Sequence, residues 1–219
     1  MFIYVVIPGY NEEKYLGAVL KKVKQYSSNI VYVDDGSRDK SAQIARRYTD
    51  HVLVHESNLG KGAALRTACD YVFHTIKADA VVFMDADDQH DVAELPKFFD
   101  ALKQGNQVVF GVRKFSPTTP MMKFLGNRLA SVLLNVLFGR YIPDIPSGYK
   151  AMSKKAYAKL QWNSAGYEVE TEIAVRVAKL RMPFSIIEID AIYHDAEKGM
   201  TAIDAAHIAR CLFQWRVGL

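Results

Sequence analysis

Short apolar runs alternate with amphipathic segments along the first half of the chain. Five runs have the length of a buried strand: "FIYVVIP", "NIVYVDD", "HVLVHE", "AVVFMDAD" and "QVVFGVR". The first four are separated by segments with helical spacing of apolar residues, as at Leu16, Val19, Leu20 and Val23 in "NEEKYLGAVLKKVKQY". Strands that alternate with helices are typical of βαβ units. The pattern predicts an α/β fold with a mostly parallel central sheet flanked by helices.

The rest of the chain continues this pattern without an internal repeat or a break in composition. Helical spacing predicts further helices in "SRDKSAQIARRY", "GKGAALRTACDYVFHTI", "DVAELPKFFDAL" and "AIDAAHIARCLFQW". The segment "PFSIIEIDAIYHD" predicts a late strand. The 219 residues are therefore expected to form a single domain, 1–219.

Residues 121–141, "MMKFLGNRLASVLLNVLFGRY", place apolar side chains at helical spacing, interrupted by Lys123, Arg128 and Arg140. These charges make the segment too polar to span a bilayer. Two interpretations stay open. The helix lies in a membrane interface with its basic side chains near anionic headgroups, or it is an ordinary amphipathic helix packed on the sheet or at a dimer contact.

Composition and charge narrow the class of protein. With 50% hydrophobic and 24% charged residues, neither disorder nor fibrous structure is expected. The amino terminus lacks the features of a signal peptide, and Cys69 and Cys211 lack metal-ligand spacing, so we expect buried thiols in a cytoplasmic protein. A net charge of +4 favours anionic partners. Nucleic acid is not an expected partner, because no basic stripe is interleaved with aromatic residues, and the oligomeric state is left open.

Polar clusters follow the first four predicted strands. They read "PGYNEE", "DDGSRD", "ESNLGKG" and "DADDQH" in chain order. In an open α/β sheet the ligand crevice lies beyond the carboxyl ends of the strands. The four clusters are therefore expected to meet in one crevice, which makes this edge of the sheet the candidate functional site.

The fourth cluster is the most acidic. Asp85 and Asp87 are separated by one residue at a strand end, so both side chains can turn to the same side. Hard oxygen ligands of this kind suit Mg²⁺ or Mn²⁺, and a divalent ion held by two carboxylates can bridge a diphosphate. The alternative is that the aspartates cap a helix beginning near Val92, for which Asp88 or Asp91 is well placed. The other strand-end clusters favour the metal site.

The second cluster begins with the paired acids Asp34 and Asp35, followed by Gly36 for a tight turn and Ser37 as a helix cap. One of the two carboxylates can accept hydrogen bonds from a nucleobase or ribose, as acidic residues do in dinucleotide-binding folds. In the third cluster, Lys61 stands at a helix start, where it can meet an anion.

The first cluster combines an aromatic ring with polar side chains. Tyr10 offers a stacking face, and Asn11 or Glu12 offers a polar contact. Asn11 is equally well placed as the cap of the first helix.

The clusters, in this order and spacing, resemble the motifs of family 2 glycosyltransferases with the GT-A fold. The branch they resemble most contains dolichol-phosphate mannosyltransferase and related polyprenyl-phosphate sugar transferases. The resemblance runs from "VVIPGYNEE" through "VDDGS", "NLGKGAALRTA" and "MDADDQHD" to "GVRK" and "IPDIPSGYKAM". It implies a Rossmann-like GT-A domain with a nucleotide-sugar half, residues 1–115, and an acceptor half, residues 116–219.

The resemblance also implies roles for single residues. Those implied to bind the nucleotide sugar are Pro8, Tyr10, Asn11, Glu12, Asp34, Asp35, Lys61, Asp85 and Ala86. Those implied to hold Mg²⁺ or Mn²⁺ are Asp85, Asp87 and Gln89. The implied catalytic residues are Asp87, Arg113 and Arg128, and those implied to bind the acceptor are Arg113, Arg128, Ser147 and Gly148. The last two belong, with Asp144, to a D-x-x-S-G signature of the branch. Where relatives often carry a basic "GESK"-type loop this chain reads "YHDAEKGMTAI", so Lys198 or His194 is the candidate phosphate contact there.

The implied activity is a metal-dependent, inverting transfer of a hexose from GDP-mannose or UDP-glucose to polyprenyl or dolichyl phosphate. Peripheral contact with the cytoplasmic face of a membrane would accompany such an acceptor. One alternative keeps the donor chemistry but uses a soluble or glycan hydroxyl acceptor, which needs a general base such as Asp88, Asp144 or Glu170. A second alternative is a non-catalytic nucleotide-sugar-binding module.

Overall fold

A computed structural model of the chain describes residues 1–114, 121–190 and 202–218, with backbone alone at 121–125 and 202–207. The strands are β1 (Ile3–Gly9), β2 (Ile30–Asp34), β3 (Val52–Val54), β4 (Ala80–Phe83), β5 (Val108–Arg113), β6 (Lys150–Ser153) and β7 (Ser185–Ile189). The α-helices are α1 (Glu13–Val23), α2 (Ser41–Ala45), α3 (Lys61–Asp70), α4 (Leu95–Lys103), α5 (Met121–Phe138), α6 (Lys154–Leu160), α7 (Val169–Lys179) and α8 (Ala202–Gly218). A π-helical turn, Tyr71–Ile76, continues α3, and a 3₁₀ turn, Val92–Glu94, precedes α4.

The seven strands form one sheet in the order β3-β2-β1-β4-β6-β5-β7. Every pairing is parallel except those of β6, which runs antiparallel to both β4 and β5. The predicted α/β fold with a mostly parallel sheet is confirmed. The strand β6 was not predicted, because it has four residues and begins with a lysine.

The reversed direction of β6 matters for the site. Lys150, its first residue, pairs with Phe83 at the end of β4 and with Phe110 in β5. The loop that leads into β6 therefore enters at the carboxyl edge of the parallel strands. Residues 144–149 thus reach the same edge as the four polar clusters.

Hydrophobic cores cover both faces of the sheet. Along β1, Tyr4 and Val6 face one core, which α3, α5, α6 and α7 also line, whereas Val5 and Ile7 face the other, lined by α1 and α4. A sheet that is buried on both faces requires strands that are apolar throughout, as in "IYVVIPG". The four apolar residues predicted to form one face of the first helix, Leu16, Val19, Leu20 and Val23, are all buried.

The first helix begins one residue later than an N-cap at Asn11 would require. Its N-cap position is Glu12, so the interpretation of Asn11 as the cap is wrong. Asn11 adopts a left-handed backbone conformation with φ of 55°, which asparagine tolerates better than most residues. Its backbone N–H donates to Ser37 Oγ, and its Oδ1 accepts from the N–H of Arg38. Asn11 therefore joins the loop after β1 to the loop after β2.

Three further predictions concern membrane-spanning helices, the two cysteines and the loop near residue 198. Within the described residues, every helix is too short or too polar to span a bilayer. Cys69 and Cys211 are buried free thiols, as predicted. The candidate phosphate contacts Lys198 and His194 lie outside the described residues, as does the side chain of Lys123.

Candidate active site

A cleft opens where the carboxyl ends of β1, β2 and β4 meet the amino end of α3. The residues that line it are Pro8, Gly9, Tyr10, Glu12, Asp35, Asn58, Gly60, Lys61, Ala64, Asp85, Ala86, Asp87, Gly166 and Tyr167. All four predicted polar clusters contribute to this lining. The structure thus brings together Pro8, Tyr10, Glu12, Asp35, Lys61, Asp85, Ala86 and Asp87 from the predicted site, whereas Asn11, Asp34 and Gln89 are not part of the lining.

The paired acids after β2 have different surroundings. Asp34 Oδ1 accepts the N–H of Ser37 at 2.8 Å, which closes the turn after the strand. Asp35 lines the cleft and accepts the N–H groups of Leu59 and Gly60 at 2.9 and 2.8 Å, while His55 Nδ1 lies 2.7 Å from its Oδ1. Asp35 therefore fixes the loop that precedes α3, and it is the acid of the pair that a ligand in the cleft can meet.

Asp85 lies at the centre of the charged part of the cleft. Lys61 Nζ is 2.6 Å from Asp85 Oδ1 and also 2.6 Å from Glu170 Oε1. Burial raises the pKa of Asp85, but the positive charge of Lys61 outweighs this and lowers it to about 2. Burial lowers the pKa of Lys61, and here too the two carboxylates outweigh burial and raise it above its ordinary value. Asp85 is therefore ionised and Lys61 is charged at neutral pH.

The histidine of this cluster is neutral. Burial lowers the pKa of His90 to about 4, against the upward effect of Asp85. His90 Nδ1 accepts the backbone N–H of Asp85 at 3.2 Å, and its ring stacks on Tyr149 with 4.9 Å between ring centroids. Tyr149 stacks in turn on Phe98. This aromatic column supports the backbone of Asp85 from the core side.

The remaining acids of the cluster make different contacts. Asp87 lines the cleft, and its Oδ1 accepts the backbone N–H of Gln89 at 3.1 Å. Asp88 has a left-handed φ of 59° and forms an ion pair with Lys22 of α1 at 2.8 Å. Asp91 caps the 3₁₀ turn through the N–H of Ala93. The capping interpretation therefore holds for Asp91, while Asp85 and Asp87 lie in the cleft.

The glycine of the D-x-x-S-G signature packs directly against Asp85. A Cβ atom added at Gly148 would lie 2.8 Å from Asp85 Cγ, closer than real Cβ contacts allow. The neighbouring Ser147 is buried, and its Oγ has no hydrogen-bond partner among the described residues. The signature thus determines how closely the backbone approaches the acid.

Replacing Gly148 with alanine is expected to lower the catalytic rate at this site about a hundredfold, because a displacement of about 1 Å at a reacting centre has an effect of that size. The added methyl group must push the Asp85 carboxylate out of its position. Initial rates of the catalysed reaction measure the effect. Gly17→Ala is the control, because a Cβ there makes only an ordinary contact with Ile44. Equal rates for the two variants would contradict the positioning role of Gly148.

A bidentate ion pair holds Arg113. Its Nε and Nη2 donate to the two carboxylate oxygens of Asp144 at 2.8 and 2.6 Å, and its backbone N–H donates to the same group at 2.9 Å. Asn127 Nδ2 adds a fourth hydrogen bond to Asp144. Arg128, the next residue of α5, is exposed, and the structure does not place it in the lining of the cleft.

A buried lysine holds the loop between Asp144 and β6. Lys150 Nζ donates to the backbone carbonyls of Ile145 and Ser147. Burial lowers the pKa of Lys150 to about 8, although the negative charge of Glu170 acts in the opposite direction. This lysine was not predicted, because lysine is rarely buried and the sequence gives no sign of its partners.

The loop before α7 was also missed. The backbone N–H groups of Asn163 and Ser164 donate to the carboxylate of Glu172, which Arg176 contacts at 2.6 Å. At Gly60, with φ of 94°, a Cβ would lie 2.9 Å from the carbonyl carbon of Ala165. These contacts bring Gly166 and Tyr167 to the cleft, where Tyr167 is 83% exposed. The acids of "GYEVETE" were the available signal.

The cleft fits a divalent cation that arrives with a ligand. No group of three or more His, Cys, Asp or Glu side chains within the described residues could hold a metal ion. Magnesium, however, is usually bound by one or two carboxylates and completes its coordination with water and phosphate oxygens. Asp85 and Asp87 supply two such carboxylates in the cleft, and Gly148 leaves one side of Asp85 free of a side chain.

Comparison with known proteins places these features in a family. The model of the family described as "Glycosyl transferase family 2" matches residues 4–161, more than half of the chain. The dolichyl-phosphate hexose transferase of Haloferax volcanii is 30% identical over 207 residues, which cover 91% of this chain and 86% of the relative. The UDP-N-acetylglucosamine–dolichyl-phosphate N-acetylglucosaminyltransferase of Methanococcus voltae is 29% identical and covers 87% of this chain and 86% of its own length.

A solved structure has the same fold. It is the glucosyl-3-phosphoglycerate synthase of Mycobacterium tuberculosis in complex with Mn²⁺, UDP and phosphoglyceric acid. The TM-score is 0.76 at 20% identity, and the match covers all of this chain and 79% of the other. At this identity the likeness concerns the fold alone.

Proposed function

This chain belongs to glycosyl transferase family 2, and from that premise we propose that it transfers a hexose from a nucleotide sugar to polyprenyl or dolichyl phosphate. The observation that carries the proposal is the cleft at the carboxyl edge of the sheet, where Asp85, Asp87 and Lys61 lie beside Tyr10 and Asp35. Two carboxylates and a cation suit a metal-bound diphosphate. The aromatic ring and the further acid suit a nucleoside. The activities for which the two lipid-phosphate relatives are named support the acceptor class.

The donor half is proposed to comprise residues 1–115. Pro8, Tyr10, Glu12 and Asp35 would contact the nucleoside, and GDP-mannose and UDP-glucose are the proposed donors. Asn11 and Asp34 would act indirectly, because their polar side-chain atoms hold the loops after β1 and β2. Ala86, between the two cleft acids, would face the donor through its backbone.

Asp85 and Asp87 are proposed to hold Mg²⁺ or Mn²⁺, with Gln89 as a further ligand. When bound, the ion would neutralise the departing nucleoside diphosphate. Lys61, fixed between Asp85 and Glu170, would add positive charge on the same side of the diphosphate. The neutral His90 supports Asp85 without adding to the charge of the site.

The acceptor half, residues 116–219 with Arg113 at its border, would bind the lipid phosphate. Asp144 holds the Arg113 guanidinium by two hydrogen bonds, which fixes the plane of the group. Arg128, on the exposed side of α5, would approach the same phosphate from the helix, and Ser147 and Gly148 would line its path. We propose that the phosphate attacks in line behind the anomeric carbon, so that the configuration there is inverted.

The surroundings of three acids favour a phosphate acceptor over a hydroxyl. A hydroxyl needs a general base, whereas a phosphate is already ionised at neutral pH. The candidate bases each lie against a cation: Asp88 against Lys22, Asp144 against Arg113, and Glu170 against Lys61. None of the three is among the residues that line the cleft, so none is positioned to take a proton from an acceptor hydroxyl there.

The test is a transfer assay with a short polyprenyl phosphate and a panel of GDP- and UDP-sugars, with and without Mn²⁺. We expect a metal-dependent lipid-linked sugar with one donor of the panel, and none with Asp87→Ala. Nucleotide binding without any lipid-linked product would reject the lipid acceptor and favour a soluble acceptor or a binding module. Product formation by Asp87→Ala at the wild-type rate would reject the proposed metal site.

We also infer that the protein acts at the cytoplasmic face of a membrane, in peripheral contact with anionic lipid. The helix α5 exposes Leu129, Val132 and Val136, and α8, which packs against it, exposes Phe213 and Val217. Basic residues lie among these side chains: Arg128, Arg210 and Arg216 are exposed. Apolar residues beside basic ones are typical of helices that lie in a membrane interface.

Liposome flotation at low salt is expected to recover the wild-type protein with vesicles that contain phosphatidylglycerol. Val136→Asp is expected to reduce the bound fraction about tenfold, because burial of a valine side chain stabilises by about 1.5 kcal/mol or more. Val54→Asp, a change of an exposed valine on the edge strand β3, is the control. A wild-type protein that ignores anionic vesicles would contradict membrane contact.

A further inference from the structure

One lysine is shared by two carboxylates in the cleft. Lys61 Nζ lies 2.6 Å from Asp85 Oδ1 and 2.6 Å from Glu170 Oε1. Side-chain exposure falls from Asp85, at 26%, to Lys61, at 15%, and Glu170, at 5%. The lysine thus lies between an acid that faces the cleft and an acid that lies behind it.

Glu170 does not reach a ligand by itself. It is not among the residues that line the cleft, and its Oε2 is buried without a hydrogen-bond partner among the described residues. The other buried lysine nearby, Lys150, donates to the carbonyls of Ile145 and Ser147. Glu170 therefore acts on the cleft through Lys61.

We propose that Lys61 is an internal counter-cation that occupies Asp85 before a divalent cation binds, and that Glu170 is the positioning residue that retains Lys61 afterwards. This inference rests on the metal site of the proposed function. When a cation takes Asp85, Lys61 keeps one carboxylate at contact distance and remains charged beside the diphosphate. Without Glu170 the displaced ammonium would be left in a poorly solvated position with no anion, which is energetically costly.

The proposal predicts opposite effects for the two partners of one ion pair. Lys61→Met removes the cation that competes for Asp85, so Mn²⁺ should bind about tenfold more tightly. Glu170→Gln removes the charge that retains displaced Lys61, so Mn²⁺ should bind about tenfold more weakly. If the ion pair had a purely structural role, both substitutions would shift the affinity for Mn²⁺ in the same direction.

The measurement is a titration with Mn²⁺, in which electron paramagnetic resonance counts the free ion, done for the protein alone and with UDP or GDP. Glu94→Gln is a matched control, because Glu94 is also buried and paired with a lysine, Lys97, outside the cleft. Circular dichroism checks that each variant is folded. Activity is not needed for this readout.

Wild-type affinity in Glu170→Gln, or weaker Mn²⁺ binding by Lys61→Met, would overturn the proposal. Asp85→Asn separates this failure from failure of the metal site. If Asp85→Asn binds Mn²⁺ as well as the wild type does, the metal site itself is wrong, and the role of Lys61 falls with it. If Asp85→Asn loses Mn²⁺ while the two variants change in the same direction, the metal site stands and only the counter-cation role is rejected.

Discussion

Asp85→Asn is expected to reduce transfer of sugar to polyprenyl phosphate about a thousandfold, the upper end of the effects seen when one electrostatic contact to a leaving group is lost. Asparagine keeps the shape of the side chain but removes the charge that Lys61 contacts at 2.6 Å. It also replaces a strong ligand of Mg²⁺ by a weak one. The readout is kcat/KM from initial rates of nucleoside diphosphate release in the presence of the lipid acceptor.

The chain supplies a close control for this change. Asp88 stands three residues away in the same acidic run, but its side chain is paired with Lys22 rather than directed into the cleft. Asparagine also tolerates the left-handed backbone of that position. Asp88→Asn should retain nearly all of the activity. Comparable losses in the two variants would mean that charge near the strand end matters in general, rather than the position of Asp85.

Asp144→Asn is expected to lower transfer to the lipid phosphate about a hundredfold, while KM for the nucleotide sugar stays unchanged. The substitution removes the charge that holds the Arg113 guanidinium through two hydrogen bonds. Asparagine fits the left-handed φ of 49° at this position, so the backbone is not strained. The effect therefore reports the loss of the ion pair. Steady-state kinetics with each substrate varied in turn provide the measurement.

The control for this second change is a neighbouring ion pair. Lys114, the residue after Arg113, pairs with Asp190 at 3.0 Å, and both side chains are about half exposed or more. Exposed pairs contribute little to stability or positioning, so Asp190→Asn should have no effect on transfer. A rise in KM for the nucleotide sugar in Asp144→Asn would assign Arg113 to the donor instead of the acceptor.

The parts of the fold that the sequence predicts are those set by local pattern. Apolar runs such as "IYVVIPG" require burial on both faces, so the parallel strands could be located without knowledge of their neighbours. The convergence of the polar clusters also follows, since the carboxyl ends of parallel strands lie at one edge of a sheet. The cleft residues Tyr10, Asp35, Lys61 and Asp85 were therefore predictable as a group.

The parts that could not be predicted depend on partners far away in sequence. The pairing of Lys61 with Glu170 joins two helices that have no local connection. The burial of Lys150 depends on carbonyl groups of a loop whose course is set by β6. The direction of the Asp88 side chain follows from a left-handed φ, which an aspartate adopts only in some contexts. Tertiary contacts decide each of these features, and residue type alone does not.

The position of β6 limits how the chain can be divided or recombined. This strand comes from the second half of the sequence but lies between β4 and β5, which come from the first. A fragment that ends at residue 115 would keep β3-β2-β1-β4, would turn β4 into a second edge strand and would leave β5 without either neighbour. We therefore expect the two halves to fold only together. A chimera that exchanges acceptor specificity between relatives would have to carry over the surfaces of β4 and β5 that face the incoming strand.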